Sequence, residues 1–232
     1  MQACTTPCAD SKPEAFSGPE NLGKQPRANT MDAHSYHAIA TGPFAPLYPY
    51  YAGQILAKAG VTSGCCLDVG CGGGYLGLAV AEMSGLDLYL LDQSAEMVAI
   101  AQTNVSERAL SGSVEIMQGV VQAIPLPEQS VDLVVSRGSI PFWDNLPTAF
   151  SEIHRVLKPG GYACAGGGLG TAEMREAILR EMRSHDPQWH AKQRHSIPHH
   201  DESHYADALR AAAIPGATVT RGETGTWIEF RK

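Results

Sequence analysis

Apolar and polar positions along this chain fall into short runs whose period keeps switching. The stretches "CCLDV" (65–69), "DLYLLD" (87–92), "VEIMQG" (114–119), "VDLVVS" (131–136) and "GYACAGGG" (161–168) are compact apolar runs of strand length. Between them, 75–83, 95–109 and 146–158 carry helical spacing, the last ended by "PGG", and 47–59 has it too. Strands alternating with helices of these lengths predict a parallel sheet with right-handed crossovers and helices on both faces. The rhythm then breaks. A helix near 172–184 is followed by a polar, His-rich connection (185–204) and a helix near 203–213. Two short strands, 217–221 and 226–232, flank the turn "GETG". A terminal hairpin on a parallel sheet implies an antiparallel strand at its edge. The expected fold is α/β, a three-layer sandwich on a mostly parallel seven-stranded sheet with an antiparallel C-terminal strand.

Residues 1–30 are rich in Pro, Ser, Gly, Asn and Lys without periodicity and predict a flexible tail. The 232 residues, 44% apolar and 18% charged, suffice for one large domain. A net charge of −7 argues against a nucleic-acid surface. No apolar run approaches the ~18 residues of a membrane helix. The start "MQACTTPCADSKPEAF" lacks the basic and apolar regions of a signal peptide, so a cytoplasmic location is expected. Cys65, Cys66 and Cys164 sit in strand-like stretches and read as reduced, small hydrophobes. Cys4 and Cys8 lack the spacing and the second half of a metal site, and the histidines of 185–204 lack regular ligand spacing although His200 and His204 are four apart. No metal is expected.

"CCLDVGCGGGYLGLAVAE" (65–82) places five glycines where the first strand turns into a helix. Gly70, Cys71 and Gly72 turn the chain, and Gly72 to Gly74 leave backbone open to a ligand at the helix N-terminus. Asp92 closes the second strand, 24 residues after Asp68. A carboxylate there suits both hydroxyls of a ribose. The strict G-x-G-x-x-G register fails at its third glycine, and no GK[ST] exists for a P-loop.

The string "DVGCGGG" resembles motif I of the class I S-adenosylmethionine-dependent methyltransferases. "LDQSAEMVAIA" is similar to the family's second motif, "IPLPEQSVDLVVSRGSIPFW" to the segment leading through its fourth strand, and "AFSEIHRVLKPGGY" to the helix and turn entering its fifth, as in members of the menaquinone and small-metabolite type. The resemblance implies a Rossmann-like domain over 31–232, with 31–60 as an N-terminal lid and helix and 171–204 as an acceptor-side insertion. It implies S-adenosylmethionine as cofactor, held by Asp68, Gly70, Cys71, Gly72, Gly74, Asp92, Gln93, Met97, Val120, Val121 and Ser136. Where the family often has Asp or Asn for the adenine, this chain has Val120, which leaves an apolar contact, the backbone N–H groups of Val120 and Val121, or Gln122. The implied reaction is methyl transfer to a small-molecule acceptor with release of S-adenosylhomocysteine. Alternatives are a non-catalytic nucleoside- or metal-sensing protein on the same fold and a nicotinamide-dependent reductase. Neither membrane nor nucleic acid is an expected partner, and a homodimer stays open.

Three acceptor-side elements follow. Tyr36, Phe44 and Tyr48 of the lid either close over the cofactor or pack the first helix on the sheet. Arg137, Ser139, Phe142 and Trp143 after the fourth strand form an aromatic and cationic wall, unless Arg137 pairs with a carboxylate. Many family members carry a His pair where this chain has Pro141 and Phe142. "GGGLG" (166–170) reads as a pocket floor free of side chains or as a flexible turn before the next helix. Arg137, Trp143 and Tyr36 are the candidates on the acceptor side, and no general base is identified.

Overall fold

The computed structural model describes residues 32–189 and 201–232. The tail expected over 1–30 and most of the His-rich connection lie outside the described residues. Seven strands, β1 (Cys65–Val69), β2 (Asp87–Asp92), β3 (Val114–Gln118), β4 (Val131–Arg137), β5 (Leu157–Gly167), β6 (Thr218–Gly222) and β7 (Gly225–Arg231), form one sheet in the order β3-β2-β1-β4-β5-β7-β6. The pairs β1–β2, β1–β4, β2–β3 and β4–β5 are parallel, and β7 runs antiparallel to both β5 and β6. The antiparallel strand is therefore interior. β7 folds back into the gap beside β5, leaving β6 at the edge.

The helices are α1 (Ala33–Thr41), α2 (Leu47–Ala59), α3 (Tyr75–Ser84), α4 (Ala95–Ser106), α5 (Leu146–Val156), α6 (Ala172–His185) and α7 (Glu202–Ala211). Side chains from α2, α3 and α6 pack one face of the sheet, and those from α5 and α7 the other. β1, covered on both faces, is buried at all five positions. That is why it reads as an uninterrupted run. α5 buries Leu146, Ala149, Phe150, Ile153 and Val156, one stripe at the spacing of the helix turn. A Cβ on Gly77 would press on Leu90, Asp68 and Leu88, so the glycine lets α3 settle directly on β1 and β2.

Two expectations shift. The "PGG" after α5 lies within β5: Leu157 already pairs with Val131, and the ladder resumes at Leu133 and Tyr162 after a bulge. Lys158 on that bulge pairs with Asp132 at 2.7 Å, and Asp132 also accepts the Cys65 N–H at 2.9 Å. Nor is the cysteine set wholly reduced: Cys66, Cys71 and Cys164 are free and buried, whereas Cys65 is disulfide-bonded. Among the described residues, no helix is long and apolar enough to cross a membrane.

Candidate functional site

At the carboxyl end of β1 the backbone reverses. The N–H groups of Gly70 and Cys71 both donate to Leu91 O, at 2.8 and 3.0 Å, and Gly74 N–H donates to Cys71 O at 2.9 Å before α3 begins. Gly70 has φ 63° and Gly72 φ 55°, backbone that side-chain-bearing residues avoid. Their surroundings differ. A Cβ on Gly70 would collide with Ser139, whereas one on Gly72 would make ordinary contacts, 3.6–3.8 Å, with Tyr36, Tyr75 and Met97. Gly70 is demanded by packing against the turn after β4. Gly72 lies in a hollow walled by the side chains of Tyr36, Tyr75 and Met97.

Asp92 ties this loop to α4. Its Oδ2 accepts the Gly72 N–H at 2.8 Å and its Oδ1 the Ser94 N–H at 2.9 Å, while Ser94 caps α4 by accepting from Met97 N–H. Burial raises the Asp92 carboxyl above its ordinary value, and the bonds from Ser94 and Gly72 oppose that rise. Each oxygen keeps a further lone pair to accept a hydroxyl. Gln93, Met97 and the loop are thus drawn together at the ends of β1 and β2. At the end of β3, Gly119 N–H donates to Asp92 O at 2.9 Å. Val120 beyond it is 41% exposed, and Val121 is buried.

Asp68 and Ser136 lie behind the loop. Asp68 is 1% exposed and its Oδ2 accepts the Gly77 N–H at 2.8 Å, pinning α3 to β1. Burial pushes its carboxyl up to about 7 despite that bond. Ser136, 0% exposed, shares a 2.6 Å hydrogen bond with the Ser139 hydroxyl. Both are among the residues the resemblance implies for the cofactor; here their side chains are turned inward, onto the Gly77 N–H and the Ser139 hydroxyl. Cys71 is also buried, its thiol donating to Gly72 O at 3.3 Å.

On α1, Tyr36 borders Gly72, and His37 Nδ1 meets the Tyr75 hydroxyl at 2.8 Å, joining α1 to the start of α3. Tyr48 stacks on Tyr75 with ring centroids 5.3 Å apart. Arg137 turns its guanidinium toward the rings of Phe44, Tyr48 and Tyr51, at 5.4, 5.3 and 5.6 Å, and donates from Nη2 to Gly168 O at 2.8 Å. Trp143 goes to the other face of the sheet. Its ring meets Phe150 edge-on at 5.9 Å, within the α5 core, and its Nε1 donates to Ser139 Oγ at 3.1 Å. The wall expected from Arg137 and Trp143 together is not assembled. Neither is the bare floor at 166–170. A Cβ on Gly166 or Gly168 would strike Thr226, Trp227, Thr224 or Gly225, so these glycines admit the β6–β7 hairpin.

The sequence reading missed His37, Tyr75, Tyr51 and Asn104. Asn104, buried in α4, donates to Gly73 O at 2.8 Å, and Tyr51 accepts from Gly170 N–H at 2.8 Å while donating to Thr224 O at 2.7 Å. Tyr75 carried the one usable signal, an aromatic directly after a glycine run at a helix start.

Residues 67–165 match the family described as "Methyltransferase domain". The chain is 33% identical over 144 residues to the malonyl-[acyl-carrier protein] O-methyltransferase of Pectobacterium atrosepticum, a match covering 61% of this chain and 53% of that protein. It is 37% identical over 99 residues to 2-methyl-6-phytyl-1,4-hydroquinone methyltransferase 1 of rice, covering 42% of this chain and 29% of the relative. The chain thus spans about half or less of the length of these curated relatives. A solved structure from Methanococcus maripaludis, described as an S-adenosyl-L-methionine-dependent methyltransferase, superposes with a TM-score of 0.81 at 36% identity, covering 90% of this chain and 97% of that one. A methyltransferase from Aquifex aeolicus shares the fold at 20% identity and a TM-score of 0.61, covering 87% of this chain and 97% of that one. With this strand order and a relative 36% identical that is matched over 97% of its length, the chain belongs to the class I S-adenosylmethionine-dependent methyltransferases.

Proposed function

We propose that this chain transfers the methyl group of S-adenosylmethionine to a small-molecule acceptor and releases S-adenosylhomocysteine. The observation that carries the reading is the Asp92 carboxylate, bonded to Gly72 N–H at 2.8 Å at the carboxyl ends of the parallel strands, where open α/β sheets bind ligands. Gly70, Cys71, Gly72 and Gly74 offer backbone to the amino-acid part of the cofactor and Asp92 accepts from its ribose. Gln93, Met97, Val120 and Val121 border the base, while Asp68 and Ser136 support the loop from behind.

The cofactor supplies an electrophilic methyl carbon on a sulfonium. The chain has to align a nucleophile with it and keep water out, which is where most of the acceleration of a displacement arises. Residues 31–60 act as the lid, with Tyr36 above Gly72 and the His37–Tyr75 bond holding α1 down. A general base is required only for an acceptor whose proton is held at high pKa. The segment 171–204 contributes to acceptor choice. The negative net charge favours neither nucleic acid nor an anionic membrane surface as partner, and a cytoplasmic protein, monomeric or homodimeric, fits these properties.

Calorimetric titration with S-adenosylhomocysteine and with NADH, followed by transfer of labelled methyl to a small-molecule cell extract, tests the proposal. Binding of S-adenosylhomocysteine alone and a labelled product of low mass are expected. Binding of NADH alone would overturn the cofactor assignment. Tight S-adenosylhomocysteine binding without labelled product would leave a sensor.

A further inference from the structure

Among the described residues, three buried side-chain polar atoms have no hydrogen-bond partner: the Tyr48 hydroxyl, Arg137 Nε and Trp189 Nε1. All three carry a proton to donate, and the two nitrogens can do nothing else. They also lie together. The Arg137 guanidinium stands 5.3 Å from the Tyr48 ring and 5.4 Å from the Phe44 ring, and Trp189 meets Phe44 edge-on at 6.2 Å. Tyr48 is 6% exposed, and burial, reinforced by the neighbouring Tyr36 phenol, lifts its hydroxyl well above the ordinary value.

A guanidinium so placed ordinarily pairs with a carboxylate. Among the described residues none pairs with Arg137, whose bonded acceptor is the carbonyl of Gly168. Unpaired buried donors are costly, and they cluster where the lid meets the ends of β4 and β5. Tyr48 stacks on Tyr75, which with Tyr36 borders Gly72, so the cluster adjoins the cofactor cradle.

We infer that these donors anchor a carboxylate on the methyl acceptor, with Arg137 Nε and the Tyr48 hydroxyl donating to its oxygens and Trp189 Nε1 closing the far side. The inference rests on the methyltransferase reading above and adds the chemical class of the acceptor. A carboxylate presents only acceptors and one negative charge, whereas an amide or alcohol would bring its own donor against these N–H and O–H groups. Phe44 and Tyr51 supply apolar walls for the body that carries it.

The test uses the whole chain saturated with S-adenosylhomocysteine and titrated with acetate, succinate and benzoate, each beside its neutral amide. At least one carboxylate is expected to bind tenfold or more tightly than its amide. Tyr48→Phe and Arg137→Gln should each weaken that carboxylate at least tenfold, with S-adenosylhomocysteine affinity within twofold of the parent. Tyr48→Phe removes a buried hydroxyl whose polar neighbour is the Tyr36 phenol, so its melting temperature should change little, and its binding result stands even if Arg137→Gln folds poorly. Equal binding of every carboxylate and its amide, or undiminished carboxylate binding by Tyr48→Phe, overturns the inference and leaves the methyltransferase reading intact. Failure of the parent chain to bind S-adenosylhomocysteine overturns that reading, and the inference with it.

Discussion

Asp92 Oδ2 accepts the N–H of Gly72 at 2.8 Å, so the residue proposed for the ribose also sets the shape of the loop proposed for the rest of the cofactor. Asp92→Ala should act twice. It removes the acceptor for the ribose hydroxyls, costing roughly 2–4 kcal/mol of S-adenosylhomocysteine affinity. It also strips the acceptor from Gly72 and Ser94 N–H groups and so lowers the melting temperature. Calorimetry and thermal unfolding on one preparation check both; unchanged affinity in a folded variant would remove Asp92 from the site.

Gly70 and Gly72 both have positive φ, but they should fail differently. Gly72→Ala meets only ordinary contacts and costs about 1–2 kcal/mol of left-handed strain, while its methyl group intrudes on the cradle and cuts cofactor binding. Gly70→Ala adds a collision with the Ser139 side chain and should unfold at a clearly lower temperature. Ser139→Gly removes the colliding Cβ along with the Ser139 hydrogen bonds, so the double variant should lose less stability than the two single variants added together. Losses that simply add would mean that φ strain alone explains the glycine.

The strands were legible because parallel strands buried on both faces read as unbroken apolar runs, β1 above all. The end of α5 was less so: "PGG" is a helix stopper in sequence, yet here it is a bulge within β5, fixed by the long-range pairing of Leu157 with Val131. The site divides along the same line. The strand-end positions of Asp92 and the glycine loop are local features, so their meeting at the ends of β1 and β2 could be read directly. Arg137 and Trp143 are six residues apart in sequence, but Gly138, at φ 78°, and a turn at Ile140–Phe142 send them to opposite faces of the sheet. Likewise 166–170 announces a close approach without saying by what. The partner is the hairpin near 224–227, almost sixty residues on.

Trp143 can now be assigned an expected behaviour different from that of Arg137. Its ring packs on Phe150 and its Nε1 holds Ser139, which in turn donates to Val69 O at 3.2 Å beside the glycine loop. Trp143→Ala should therefore cost about 2–3 kcal/mol of stability, less than a fully buried aromatic because the ring is only partly buried. Cofactor affinity and turnover should fall with it. Trp143→Phe keeps the ring contact and should recover most of the stability. A Trp143→Ala variant with native melting temperature and cofactor affinity but poor turnover would return Trp143 to the acceptor side.

Asp68 gives a pH signature. Its carboxyl is raised from an ordinary value of 3.8 to about 7, chiefly by burial, with the Gly77 N–H opposing the shift and the Asp92 charge adding to it. A carboxyl whose folded pKa lies above its unfolded one binds its proton more tightly in the native state. Its favourable contribution is complete below about pH 4 and is lost as pH climbs through about 7. Asp68→Asn keeps the shape and an oxygen for Gly77 N–H but does not titrate. Subtracting its unfolding free energy from that of the parent should give a difference that falls by a few kcal/mol between pH 4 and pH 7, to the parent's disadvantage, and levels off above pH 8. Urea unfolding at half-unit pH intervals, without cofactor, measures it. A difference that stays flat over this range would mean that the Asp68 carboxyl titrates as it would in water, and that the Gly77 bond offsets its burial.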